Sequence, residues 1–140
     1  MKKTGGSVGA FVAGVTPAKR RRDAETLIAL LSEITGRDPE LWGTIIGFGS
    51  CHYRYPTGVE GDMPLAAFAP RAAASTIYLD AAAAHADELA RLGPHTSSVT
   101  CLYIKDLEQV DEAVLRGILE SSLAYAVGGG DDDVAITVTG

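Results

Sequence analysis

The hydrophobic period of this chain changes near Asp38-Pro39, and that change most constrains the fold. After it, apolar and polar residues alternate in short runs, which is typical of strands with one buried face. A chain of 140 residues is long enough for one such domain and too short for two. Before the change, apolar residues recur every three or four positions, as in an amphipathic helix: Ala24, Leu27, Ile28, Leu31 and Ile34.

Four helices are predicted from this period, from capping residues and from propensity. Ser7 can cap a first helix over residues 8–15, and Thr16-Pro17 starts a second one. An alanine-rich run over residues 81–92 predicts a third helix. The helical spacing of apolar residues returns over residues 107–119 and predicts a fourth.

The strands are predicted from alternation and from the turn residues between them. The connections between the first strands are too short for a crossover helix, so we expect antiparallel neighbours. The predicted fold class is therefore α+β, with two layers, in which an antiparallel sheet of about four to five strands packs against helices in the order α-α-β-β-β-α-β-α. We expect strands over residues 41–46, running on into 47–55, and over residues 65–68, 76–79 and 99–104.

The domain organisation follows from composition. We expect one domain over residues 7–126, preceded by a disordered segment over residues 1–6. Residues 127–140 form a hinge rich in Gly and Asp, followed by the alternating run from Val134 to Thr139. That run can be an edge strand, a strand lent to a partner, or a frayed end.

The charge of the chain disfavours one class of partner. The formal net charge is −6, and six of the twelve Lys and Arg residues fall within the first 22 residues. The rest of the chain is strongly acidic, which opposes sequence-independent binding to phosphates. We therefore expect no nucleic-acid partner.

The two cysteines and the lengths of the apolar runs indicate the cellular compartment. Cys51 and Cys101 lack metal-type spacing and are expected to be buried, reduced thiols, which favours a cytoplasmic protein. No run approaches the ~18 apolar residues of a membrane span, so we expect no membrane partner.

Motifs of catalysis are absent from the sequence. There is no G-x-S-x-G elbow and no phosphate-binding loop of the G-x-x-x-x-G-K-[ST] type. Cys51 and His52 are neighbours, but neighbours on a strand point to opposite faces. The sequence therefore favours a non-enzymatic protein.

Polar side chains predict one candidate ligand-binding face. If the predicted strands are neighbours in the sheet, these side chains can line a patch suited to a small anion. An enzyme using the same face stays open as an alternative, as does an ordinary solvated sheet face. The candidate residues are His52, Arg54, Arg71, Tyr103 and Lys105.

Carboxylates at the start of the fourth helix predict a candidate metal site. Oxygen ligands suit Fe²⁺, Mn²⁺, Mg²⁺ or Ca²⁺. The alternative is that acidic residues in a first helical turn complement the helix dipole. The candidate ligands are Asp106, Glu108, Asp111 and Glu112.

Short blocks of sequence resemble those of one bacterial family. By these blocks, the chain resembles the YdhG-like family of unknown function over residues 7–123. The blocks occur in this order: Arg21-Arg22-Asp23-Ala24, Trp42-Gly43, residues 46–55, Gly58 to Asp62, Phe68-Ala69-Pro70-Arg71, Leu92-Gly93-Pro94-His95 and Cys101-Leu102-Tyr103-Ile104-Lys105.

The resemblance implies a small cytosolic α+β domain. Some members of the family are described as frataxin-like intracellular iron chaperones, so it implies iron as the metal. This chain departs from the family pattern at Cys51, where an aromatic residue is common, and at Met63, where tryptophan is common. It also departs at residues 96–98, where the family usually has lysines and a glycine.

Three functions are compatible with these observations. The first is a binding protein that carries a metal ion, iron in particular, or a small anion. The second is a protein–protein or self-association module, with a homo-oligomer built through the tail. The third is an enzyme that uses the polar sheet face.

Overall fold

The computed structural model describes residues 1–140 and folds them as an α+β protein with two antiparallel sheets. None of its helices is both long enough and apolar enough to cross a membrane. The α-helices are α1 (Val8–Ala13), α2 (Ala18–Thr35), α3 (Ala86–Leu92) and α4 (Glu112–Val127). The strands are β1 (Pro39–Trp42), β2 (Ile45–Phe48), β3 (Cys51–Arg54), β4 (Glu60–Met63), β5 (Ala66–Pro70), β6 (Ser75–Tyr78), β7 (Thr96–Ser97), β8 (Cys101–Ile104) and β9 (Ala135–Val138).

The larger sheet has six strands in the order β1-β2-β5-β6-β8-β7. One face of it forms the main core with α2 and α4, because every second residue of the central strands is apolar. Phe48, Phe68 and Ile77 on this face are completely buried, as is Leu27 of α2. Each such side chain contributes roughly 1.5–3 kcal/mol by leaving water.

The smaller sheet has three strands in the order β4-β3-β9. It arises because β2 continues into β3 through a bend at Gly49, while β4 continues into β5 at Pro64-Leu65. Gly49 has a φ of +67°, and a Cβ there would lie 2.5 Å from Cδ of Arg37, so the bend requires glycine. We call residues 51–63, which comprise β3 and β4, the arm.

The arm and the C-terminal tail pack on the last turns of α4. Strand β9 runs antiparallel to β3, with Tyr53 opposite Ile136. Cys51, Ile136 and Ala126 of α4 are buried together in a second, small core. The tail is therefore the edge strand of the smaller sheet, paired within its own chain.

The predicted α+β class with antiparallel strands is confirmed, but the sheets are larger than predicted. One sheet of four to five strands was expected, whereas the structure has sheets of six and three strands. Positive φ angles at Gly43 and Gly49 divide residues 41–55 into three strands. Residues 60–63, expected as part of a turn, form β4 instead, and only Tyr55 to Gly58 turn the chain.

The N-terminal region shows one prediction met and one difference. The Ser7 hydroxyl accepts a hydrogen bond from the backbone N–H of Ala10, so the predicted cap of α1 is confirmed. Residues 1–6 were expected to be disordered. In the structure, the backbone N–H of Thr4 donates to the carbonyl of Leu41, and Lys3 lies 2.9 Å from the Glu40 carboxylate.

Candidate functional site

A cavity of about 440 Å³ lies between the arm and the body of the domain. The arm contributes Tyr53 and Met63 to its wall, and the end of β6 contributes Tyr78. The C-terminal half of α4 contributes Ser122 and Tyr125. The cavity exists because the bend at the β2–β3 junction carries the arm away from the larger sheet.

The wall of the cavity is mainly apolar and aromatic. Fifteen of the twenty residues that line it are hydrophobic. The chain has five tyrosines, and four of them line this cavity: Tyr53, Tyr55, Tyr78 and Tyr125. The rings of Tyr53 and Tyr55 meet edge to face, with centroids 5.8 Å apart. Such a wall suits a ligand with a flat apolar body.

Asp80 places a carboxylate in the wall, two residues after the end of β6. Its side chain is only 10% exposed, and Oδ1 lies 2.6 Å from Nε2 of the buried His85. A carboxylate can only accept in such a bond, so Nε2 of the ring is the donor. The backbone N–H of Asp80 donates to Oγ of Ser122. These bonds hold the carboxylate in place and leave its Oδ2 without a protein partner.

Tyr125 links the cavity to the loop before β9. Its hydroxyl donates to Oδ2 of Asp131 at 2.9 Å. Burial raises the pKa of Tyr125 to about 12, reinforced by the Asp131 hydrogen bond and by the negative charges of Asp131, Asp80 and Asp133. Oδ1 of Asp131 accepts the backbone N–H groups of Asp133 and Val134. The Asp131 carboxylate therefore holds the loop before β9 in place through these hydrogen bonds.

The predicted anion-binding face is not formed as one patch. His52 and Arg54 lie on the outer face of the arm, and β3 pairs only with β4 and β9. Tyr103 belongs to β8 of the larger sheet, Lys105 follows that strand, and Arg71 follows β5. The prediction needed these strands to be neighbours, but the bend separates β3 from the others, and β6 lies between β5 and β8 in the larger sheet.

On the outer face of the arm, two carboxylates lie beside His52. Nδ1 of His52 lies 2.8 Å from Asp62, and Nε2 lies 2.9 Å from Glu60. The hydrogen bonds to Asp62 and then to Glu60 raise the pKa of His52 above its ordinary value. An anion at this place would displace one of two carboxylates already bound to the ring.

The other members of the predicted face have separate partners. Nη1 of Arg71 donates to the Thr44 hydroxyl at 2.8 Å. The Tyr103 hydroxyl lies 3.2 Å from Oγ of Ser98. The Lys105 side chain is exposed, and its carbonyl accepts a bond from the buried Arg20.

The predicted carboxylate ligands are not gathered into a metal site. Nη2 of Arg22 lies 2.7 Å from Asp106, and Nη1 lies 3.3 Å from Glu108. Asp111 caps α4, where it accepts the backbone N–H groups of residues 113 and 114, and Glu112 lies in the first turn of that helix. No group of three or more His, Cys, Asp or Glu side chains is arranged to hold a metal ion.

The environment of Asp106 explains why this carboxylate is already satisfied. Burial alone raises its pKa, but three groups favour the charged form. They are the backbone N–H of Glu108, the side chain of Arg22 and the charge of Lys19. Together they hold the pKa of Asp106 below its ordinary value. Asp106 and Glu108, which precede α4, therefore pair with the basic start of α2.

Sequence reasoning missed the cavity and most of the residues that form it. The alternation of Tyr53 and Tyr55 on one face of a strand was visible in the sequence. Tyr78, Asp80 and Tyr125 carried no comparable signal, because their meeting depends on the packing of the end of β6 against α4, which joins Asp80 to Ser122, 42 residues away along the chain.

The comparisons with known proteins found no match. No family model matches the sequence, and no curated protein or solved structure matches the chain.

Proposed function

We propose that this chain is a small-molecule-binding domain whose ligand occupies the cavity between the arm and α4. The observation that carries the proposal is the cavity itself, of about 440 Å³ with a largely hydrophobic lining. Ligand pockets in proteins are typically clefts of roughly 300–1,000 Å³, lined by apolar and aromatic side chains with a few fixed polar groups.

The polar groups of the cavity support a binding role. Asp80 is held by His85, and Tyr125 is held by Asp131, so both keep their positions before a ligand arrives. Pre-organised groups lose little conformational entropy on binding, which favours affinity. The apolar wall supplies the rest of the binding free energy by removing the body of the ligand from water.

The domain offers a direct test through its tyrosines. Replacing tyrosine with fluorotyrosine gives five ¹⁹F signals, of which four report on the cavity and that of Tyr103 reports on the surface outside it. Each signal is assigned by a Tyr→Phe substitution. The sample is then titrated with fragments that are aromatic, aliphatic, cationic, anionic or neutral.

We expect at least one fragment to shift the four cavity signals together, in a saturable way, and to leave the signal of Tyr103 unchanged. Failure of every fragment to shift the cavity signals would overturn the proposal, as would saturable shifts at Tyr103 alone. The iron-carrying role implied by the YdhG-like resemblance stays a prediction. Anaerobic addition of Fe²⁺ followed by desalting tests that role, and loss of all iron would count against it.

A further inference from the structure

We propose that the cavity selects an organic cation, a molecule with an apolar or aromatic body that ends in a protonated amine or a quaternary ammonium. This inference rests on the proposed function and names the class of ligand. It comes from the charge of the cavity, from the buried position of Asp80 and from the identity of the aromatic rings.

The charged side chains that line the cavity are all acidic, and the one basic group in the lining is the N-terminal amine of Met1, a residue that is 60% exposed. Asp80 is the carboxylate fixed in the wall of the cavity, because Asp62, which also lines the cavity, pairs its carboxylate with His52 on the outer face of the arm; the lining contains no Lys, Arg or His. An anionic ligand would lie beside the Asp80 carboxylate with no basic side chain in the wall to pair with. Opposite charges favour each other more strongly in a partly buried site than in water, so the wall favours a cation.

Asp80 is the group best placed to bind the cationic end. Its side chain is 10% exposed, so solvent screens it little, and His85 fixes its orientation through Oδ1. The remaining oxygen can accept an N–H from an ammonium group. Charge-assisted hydrogen bonds of this kind are shorter and stronger than neutral ones.

The aromatic wall provides a second attraction for the same charge. Tyr53, Tyr55, Tyr78 and Tyr125 all contribute to the lining. The negative faces of aromatic rings attract cations, and aromatic cages recognise quaternary ammonium ligands in this way. A neutral ligand of the same shape gains the contact with the rings but not this electrostatic part.

Ionisable groups around the cavity already feel this negative field. The charges of Asp131, Asp80 and Asp133 each raise the pKa of Tyr125, in addition to the effect of burial and of its hydrogen bond. Burial, with a further contribution from the charge of Asp62, raises the pKa of the Cys51 thiol to about 11. The same negative potential stabilises a cation in the cavity.

The experiment compares three ligands that share one body and differ in charge: phenylpropylammonium, phenylpropanol and phenylpropanoate. Each is titrated into the full chain labelled with fluorotyrosine. We expect the ammonium to bind with a dissociation constant about tenfold below that of the alcohol, and the carboxylate not to saturate the site. Equal binding of the ammonium and the alcohol would overturn the charge inference and leave the proposed function intact. No cavity shift with any of the three would overturn the charge inference, whereas the proposed function is overturned only when the whole fragment series fails.

Two variants test where the selectivity arises. Asp80→Asn removes the charge and keeps an oxygen for the bond from His85, so it should abolish the preference for the ammonium while the alcohol still binds. Asp132→Asn, an exposed carboxylate outside the cavity, should leave the preference unchanged. Unchanged selectivity in Asp80→Asn would refute the role of this carboxylate.

A further variant keeps the inference testable if Asp80→Asn does not fold. Tyr55 is 45% exposed, so Tyr55→Leu removes one aromatic face with little effect on the core. The ammonium should lose more affinity than the alcohol, because only the ammonium uses the electrostatic attraction of the ring. Equal losses for the two ligands would contradict the proposal.

Discussion

The buried carboxylate of Asp23 should be the most costly single charge to remove from this domain. Its side chain is 1% exposed, and it lies in the second turn of α2. Oδ1 accepts two bonds from Arg22, at 3.0 and 2.8 Å, and Oδ2 accepts the backbone N–H of Leu107 at 3.1 Å. Oδ2 also lies 3.7 Å from the guanidinium of Arg20, which is itself 3% exposed.

The size of the effect follows from the charge that the substitution would leave behind. Asp23→Asn preserves the volume of the side chain but leaves the Arg20 guanidinium buried without its counterion. Breaking a buried ion pair by removing one partner typically costs about 3–5 kcal/mol. Arg20 keeps its bonds to the carbonyls of Arg71 and Lys105, so we expect a loss of about 3 kcal/mol, at the lower end of that range.

The assay is equilibrium unfolding in urea, followed by the fluorescence of Trp42, the only tryptophan of the chain. Trp42 is buried, so its emission reports loss of the fold. Glu25→Gln, an exposed change on the same helix, is the matched control and should stay within about 0.5 kcal/mol of the wild type. A loss below about 1 kcal/mol in Asp23→Asn would refute the reasoning about the buried ion pair.

Three further predictions concern the bend, the arm and the thiols. Gly49→Ala should destabilise the fold more than Gly36→Ala in urea. Both glycines have a φ of +67°, but only at the first does a Cβ meet neighbouring side chains, and equal losses would contradict this. The raised pKa of His52 means that its ion pairs stabilise the fold fully below the unfolded pKa and lose this effect as the pH rises through the folded value. The urea midpoints of wild type and His52→Gln should therefore converge with rising pH, and a constant gap would contradict this. Cys101 should react with a thiol reagent before Cys51, which is fully buried and whose pKa is raised to about 11. Equal reaction rates in the native protein would contradict the last prediction.

The parts of the fold that depend on local interactions could be predicted from the sequence. The Ser7 cap needs only a hydroxyl three residues before a backbone N–H, and the structure forms that bond. The helical period before Asp38 likewise predicts α2, which ends with a left-handed glycine at Gly36. Helix caps and the helical spacing of apolar residues depend on residues close together in the chain, so they can be predicted from a single sequence.

The role of the basic stretch at the start of α2 could not be predicted in this way. In the sequence, residues 19–22 are part of the basic start of the chain, and nothing local marks one of them as buried. In the structure Arg20 is buried, and its guanidinium donates to Arg71, Ser75 and Ile104. These acceptors lie 51 to 84 residues away along the chain, and no local pattern encodes such contacts.

The candidate site could not be predicted for the same reason. Its wall combines the arm, the end of β6, the last turns of α4 and the tail, and the bend at Gly49 sets the arm apart from the larger sheet as one side of the cavity. The predicted sites relied on strand neighbours for the anion and on sequence clustering for the metal. The anion site is not formed, because β3 lies in a different sheet from β5 and β8. Two of the predicted metal ligands, Asp106 and Glu108, are paired with Arg22 instead.

The most direct test of the central claim is to locate a ligand in the cavity by intermolecular nuclear Overhauser effects with phenylpropylammonium. The account predicts contacts from the phenyl protons to Met63 and Tyr78, and from the methylene beside the ammonium to the β protons of Asp80. Saturable binding with contacts only outside the cavity would contradict it.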